Sequence, residues 1–99
     1  MKEIKELSAL EVAKLVDLKI ERVWIDKSQI ESVKKILNLE GKSIEELRET
    51  RNSVVKTFFD FIDYYREEKM YVKYDEYMAT MSGTTATIDS MIFEQGGEA

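Results

Sequence analysis

Cysteine and histidine are both absent from the 99 residues. Their absence removes thiol and imidazole nucleophiles, histidine bases, zinc-finger ligand sets and disulfides together. The missing cysteine also means that the chain does not depend on an oxidising compartment. Proline is absent too, and glycine occurs only four times, so the usual punctuation of turns is sparse. No apolar run approaches the roughly 20 residues of a membrane-spanning helix. Residues 1–6 are charged with no signal-like apolar block behind them, so a soluble, cytoplasmic protein without membrane association is the expectation.

What is present is enough apolar material for one modest core. Hydrophobic residues make up 43% of the chain, which argues for a folded chain and a single domain over residues 1–99. The net charge of −5 is unevenly spread. Up to Ile36 there are eight Lys and Arg against seven Asp and Glu, and from Leu37 onward seven against thirteen. Binding to phosphate is therefore disfavoured for the C-terminal part, and any nucleic-acid contact belongs to the first third.

The fold class read from periodicity is mainly α: a long central helix and a C-terminal helical hairpin, with room for one short two-stranded β element. At 100° per residue, Ile44, Leu47, Val54, Phe58, Phe61, Ile62, Tyr65 and Val72 share one arc, while Glu45, Glu49, Lys56, Asp60, Asp63 and Glu67 lie opposite. That pattern predicts an amphipathic helix over residues 43–72. Ser43 with Glu46 forms a capping box at its start, and Gly41 suits the close of a preceding helix. Arg51 and Lys69 fall within the stripe and are expected to snorkel or to pair with carboxylates. Beyond it Met70, Tyr71, Tyr74, Tyr77 and Met78 change phase, which places a turn within residues 68–73. The segment 74–94 carries apolar residues at three and four spacing and reads as a helix folded back on the long one. Ser82, Gly83, Thr84 and Thr85 leave a break there open, and residues 95–99 read as a frayed tail.

The N-terminal part, residues 1–39, opens with a second capping box, Ser8 with Glu11, and a third is read at Ser28 with Glu31. Between them two readings compete. Val16, Leu18, Ile20 and Trp24 alternate with polar residues as in a half-buried strand, whose partner would be residues 70–74 or, next, 86–93. Alternatively, residues 9–27 resemble a helix-turn-helix, with Val12 and Ala13 in the first helix, Leu18 in the turn and Val23 in the second. The chain departs from that pattern at Asp17, where glycine is usual, and at Asp26, where an apolar residue is usual.

Gly41, Lys42 and Ser43 have the ending of a phosphate-binding loop, but Ile36 stands where its first glycine belongs, so a helix stop followed by a cap is the reading. Asp60, Asp63 and Glu67 share an outward face that reads as solvated, and no Ser or Thr has an activating base. No catalytic residue, metal site or cofactor is expected. The functional expectation is a non-enzymatic regulatory or interaction protein that binds a protein partner or itself, as a homodimer or other oligomer. Its interface would use Phe59, Tyr64, Met70, Tyr71, Tyr74, Tyr77 and Met81. The alternative is a helix-turn-helix DNA-binding regulator contacting nucleic acid through Lys19, Arg22, Lys27, Lys34 and Lys35, with the long helices as a dimerisation arm.

Overall fold

The structure is a computed structural model that describes residues 3–21 and 24–97. Four helices follow in order: α1 (Ala9–Val16), α2 (Lys27–Ile36), α3 (Ile44–Glu67) and α4 (Tyr71–Glu94). The hairpin of α3 and α4 is present as expected. The helix that gathers the molecule is α4, which packs against each of the other three. That explains its mixed apolar pattern: a helix covered on several sides has no single stripe to show.

Three of the helices begin on reciprocal caps. In α1 the Ser8 hydroxyl accepts from the Glu11 N–H at 3.1 Å, and the Glu11 carboxylate accepts from the Ser8 N–H at 2.9 Å. Ser43 and Glu46 do the same for α3 at 3.1 and 3.0 Å. For α2 the expected Ser28–Glu31 box is replaced by Asp26 with Gln29. Asp26 is at least as good a cap as serine and brings its negative charge to the positive helix end, so the helix starts two residues earlier. Ser28 then donates to the Asp26 carboxylate at 2.7 Å.

The helix ends share a device that the scarcity of glycine made hard to foresee. Lys19, Asn38 and Lys69 all take left-handed backbone conformations, with φ of 54°, 53° and 57°. Behind Asn38 and Lys69 the chain closes the six-to-one hydrogen bond of a Schellman turn: Leu39 N–H to Lys34 C=O at 2.9 Å, and Met70 N–H to Tyr65 C=O at 2.8 Å. Thus Asn38, and not Gly41, closes α2. Likewise α3 stops at Glu67, short of Val72, and Lys69 serves the turn instead of the stripe. Gly96, at φ 84°, ends α4 in the same way, and the Gln95 side-chain amide donates to the Lys42 carbonyl at 3.1 Å. As far as Gly97 the expected frayed tail is therefore docked.

No strand forms among the described residues; one isolated bridge joins Glu21 and Trp24. The left-handed residue at Lys19 breaks the period of two, and the proposed partner segments 70–74 and 86–93 lie at the start and within the last turns of α4. The described residues do not form a helix-turn-helix either. The described residues between Val16 and Lys27 are not helical, and Ala13, the residue expected beneath a crossing helix, is exposed. Arg22 and Val23 lie outside the described residues. What the connector does instead is send Ile20 inward, to 5% exposure, against Gly83. A Cβ added at Gly83 would stand 2.6 Å from the Ile20 Cγ2. The glycine that threatened to break α4 is thus the notch that receives the connector, and α4 runs through it without interruption.

The core joins Val12, Leu15 and Val16 of α1, Val33 of α2, Leu47, Val54, Phe58 and Ile62 of α3, and Ile88 and Ile92 of α4. Burying a side chain of this kind contributes about 1.5–3 kcal/mol. The core is threaded by hydroxyls, most of which are satisfied. Thr57 accepts from the Leu7 N–H at 2.9 Å, pinning the N-terminal segment to α3, while Thr80 and Thr87 donate to carbonyls one turn back, both at 2.9 Å. Thr84 is fully buried, and its hydroxyl has no hydrogen-bond partner. Valine keeps the shape and removes the stranded dipole. Thr84→Val is expected to raise unfolding stability by about 1–2 kcal/mol, read from urea denaturation. A loss of stability would show that the hydroxyl is satisfied in solution.

Candidate functional site

The tight turn between α3 and α4 concentrates apolar surface. Tyr64 is 56% exposed, Met70 40%, Tyr71 61% and Val72 82%. Tyr64 lies in the last turn of α3, Met70 caps α4, and Tyr71 and Val72 open its first turn, so the Schellman closure at Lys69 puts them at the same end of the hairpin. Beneath them the rings step inward. Tyr64 meets Tyr65 edge-on at 5.7 Å between centroids, Tyr65 meets Tyr77 at 4.9 Å, and Tyr77 touches Phe61 at 5.4 Å and Phe58 at 5.8 Å. Phe58 is fully buried. The exposed Tyr64 ring therefore stands on a chain of aromatic contacts anchored in the core, which holds it in place before any partner arrives. The Lys73 ammonium lies 6.0 Å from the Tyr65 ring centroid and adds a cation at the border.

The seven residues expected at an interface divide by burial. Tyr64, Met70 and Tyr71 form the exposed tip; Tyr74 and Tyr77 are half-buried; Met81 is buried in the core. Phe59 is 43% exposed but lies 140° around α3 from Tyr64, on a different flank. Val72, read as part of the core stripe, belongs to the tip. The phase break that precedes it in the chain was the signal that could have placed it there. Trp24 is 70% exposed on the connector.

The residues expected to touch nucleic acid do not converge on a recognition helix. Lys19 sits on the connector, 3.9 Å from Glu76. Lys27 opens α2, and Lys34 in its last turn lies 3.9 Å from both Glu31 and Glu40, with Lys35 beside it. Arg22 lies outside the described residues. Each described cation but Lys27 and Lys35 has a carboxylate close by, which lowers the local positive potential.

The acidic face of α3 behaves as a solvated surface. Asp60, Asp63 and Glu67 are exposed; Lys56 bonds Asp60 at 2.7 Å and lies 3.6 Å from Glu6, and Arg66 bonds Asp63 at 3.1 Å. Among the described residues no three acidic groups converge as metal ligands, and no helix is long and apolar enough to cross a membrane. A groove of about 500 Å³ runs between the N-terminal segment and the start of α3, with Glu3, Glu6, Glu49 and Lys5 on its walls.

The titrating groups set the pH range of the fold. The Ser28 hydroxyl and the Gln29 N–H hold the Asp26 carboxyl below its ordinary value; the Ser43 N–H and hydroxyl do this for Glu46, and Lys56 does it for Asp60. Groups depressed on folding stabilise the protein above their unfolded pKa, and that contribution is lost as pH falls through the folded one. Burial, then the hydrogen bond with Tyr65, pushes the Tyr77 phenol up to about 12. A raised group has the opposite sign: its contribution is complete below the unfolded value near 10.0 and is lost as pH rises towards about 12. With no histidine in the chain, the melting temperature is expected to be flat from pH 6 to 9, to fall in acid below the ordinary carboxylate range, and to fall again above pH 10. Circular dichroism melts across that range check it, with tyrosinate absorbance followed in the alkaline arm.

Comparison of the chain with protein-family models, with curated proteins and with solved structures finds no match.

Proposed function

We propose that the protein is a non-enzymatic cytoplasmic binding module that engages a protein partner through the tip of the α3–α4 hairpin. The observation that carries this reading is the grouping of Tyr64, Met70, Tyr71 and Val72, all at least 40% exposed, at one end of a rigid helical pair. Contiguous exposed apolar surface on a small chain marks a contact site, and Tyr and Met are residues that interface centres favour. The aromatic contacts below the tip reduce the ordering cost of binding. The net charge of −5 favours solubility of the free protein.

The test is capture from a lysate of the source cell on the immobilised chain, with and without nuclease, using the natural protein and a Tyr64→Ala/Tyr71→Ala variant. Both tyrosines are exposed, so the variant is expected to keep its helical spectrum and its melting temperature. A stoichiometric protein that survives nuclease and binds the variant at least tenfold more weakly, a loss of about 1.4 kcal/mol, supports the reading. Capture that vanishes with nuclease contradicts it, and points to nucleic-acid binding through Lys19, Lys27, Lys34 and Lys35.

A further inference from the structure

A second surface, separate from the tip, runs along the flank of the hairpin. It is marked by an ion pair, in which the Arg51 guanidinium Nε bonds the Asp89 carboxylate at 2.6 Å and ties α3 to α4. One and two turns along α3 from Arg51 come Val55, half-buried, and Phe59, 43% exposed. Along α4 from Asp89, in the same direction, come Ala86 and Ser82, both exposed, then Met78, half-buried; in the other direction stands Phe93, 74% exposed. Helical spacing puts all of these on the side that carries the ion pair. The N-terminal helices pack elsewhere on α4, where Thr80, Gly83, Thr84 and Thr87 are buried.

Three features of this flank fit a second copy of the same chain. The first is charge. Between Glu76 and Asp89, α4 has twelve consecutive uncharged residues, a stretch with no ionised group on any side, although its Ser82–Ala86 side faces water. Two chains of net charge −5 repel over most of their surface; at this flank the carboxylate one turn from Ala86, that of Asp89, is already paired with Arg51, in keeping with the charge-depleted centre of an interface. The second is shape. Ser82 and Ala86 are small residues one turn apart, which lets a second helix approach closely, with Phe59 and Phe93 standing proud beside them. The third is area. The chain exposes 6672 Å², against roughly 5800 Å² for a compact protein of its 11.6 kDa. The excess of roughly 800 Å² is what one partner loses in a standard interface. Phe59 and Phe93 on this flank contribute to that exposed surface, and the flank runs along two helices, each about 36 Å long.

We propose that two copies pair through this flank about a two-fold axis near Ser82 and Ala86, placing two hairpins face to face as a four-helix layer. A two-fold contact uses the same patch on both partners, and residues at the axis meet their own copies. The arrangement leaves each tip free, so pairing is independent of partner binding there.

The experiment is light scattering after size exclusion on four proteins. The natural chain is expected at twice 11.6 kDa. Ala86→Glu, which sets a carboxylate against its own copy, is expected at the monomer mass with an unchanged helical spectrum. The Tyr64→Ala/Tyr71→Ala variant is expected to stay dimeric, which separates this surface from the tip. Since the chain has no cysteine, Ala86→Cys provides a single thiol, expected to form an intermolecular disulfide under mild oxidation, because residues at the axis come within bonding range. A monomeric natural chain overturns the proposal. So does a dimer that survives Ala86→Glu, and so does one that dissolves in the tip variant.

Discussion

A Gly83→Val protein is expected to lose about 3 kcal/mol of unfolding stability, towards the upper end for overpacked sites. On helix propensity alone the change should help, because glycine inside a helix costs about 1 kcal/mol relative to alanine. Space decides the sign. The first added carbon already falls 2.6 Å from Ile20 Cγ2 and 3.3 Å from its Cδ1, and Ile25 Cδ1 lies at 3.4 Å. Ile20 is 5% exposed and branched at Cβ, so it has few rotamers into which to retreat. The strain falls on the connector between α1 and α2, which must lift off α4. A companion Ile20→Ala change empties the space that the valine needs. The double variant is therefore expected to be more stable than the sum of the two single losses implies, by more than 0.5 kcal/mol in a double-mutant cycle. Additive losses would mean that the two residues do not touch in solution.

The second large effect is at Phe58, the bulkiest of the fully buried side chains. Phe58→Ala is expected to cost about 4 kcal/mol, through lost transfer energy and the cavity left beneath Tyr77, whose ring centroid is 5.8 Å away. For a chain of this size that corresponds to a fall in melting temperature of about 20 °C, measured by thermal denaturation. Since small domains hold only about 5–15 kcal/mol in all, a visible unfolded fraction at physiological temperature is expected. The tip should suffer as well, because the rings from Tyr77 to Tyr64 rest on Phe58. A loss below 1 kcal/mol would place Phe58 outside the core.

Features of the fold set by neighbouring residues were legible in the chain. The Ser8–Glu11 and Ser43–Glu46 boxes, the stripe from Leu47 to Ile62 and the turn after Glu67 each depend on residues within a helical turn or two of one another. The misreadings arose where a distant contact decided. Gly83 looks like a helix breaker until Ile20, more than sixty residues earlier, is seen to occupy the notch. Val16, Leu18, Ile20 and Trp24 alternate like a strand, yet the left-handed Lys19 turns Ile20 inward and leaves Trp24 in solvent. Lysine is an unusual residue at such a position, so nothing in its chemistry announced the turn there or at Lys69. The choice of Asp26 over Ser28 as a cap was a contest between two good caps, settled by Gln29 in place of Glu31.

The candidate surface was legible only in part, for the same reason. Tyr64, Met70, Tyr71, Tyr74, Tyr77 and Met81 are alike as amino acids, and which of them face water depends on how α4 lies against α3. Docking buried Met81, half-covered Tyr74 and Tyr77, and left the tip exposed. Phe59 was separated from them by its angle around α3 alone. The basic residues of the first third are scattered because the described residues of the segment that would have gathered them into one helix are not helical.

The most direct measurement of the proposed function places a photo-activated crosslinking residue at Tyr71 in the living source cell, with a second protein carrying it at Glu45 on the outer face of α3. Both positions are exposed and neither belongs to the core. A binding tip predicts one dominant protein adduct from position 71, absent from position 45. Equal, diffuse labelling from the two positions, or an adduct with nucleic acid alone, would contradict the account.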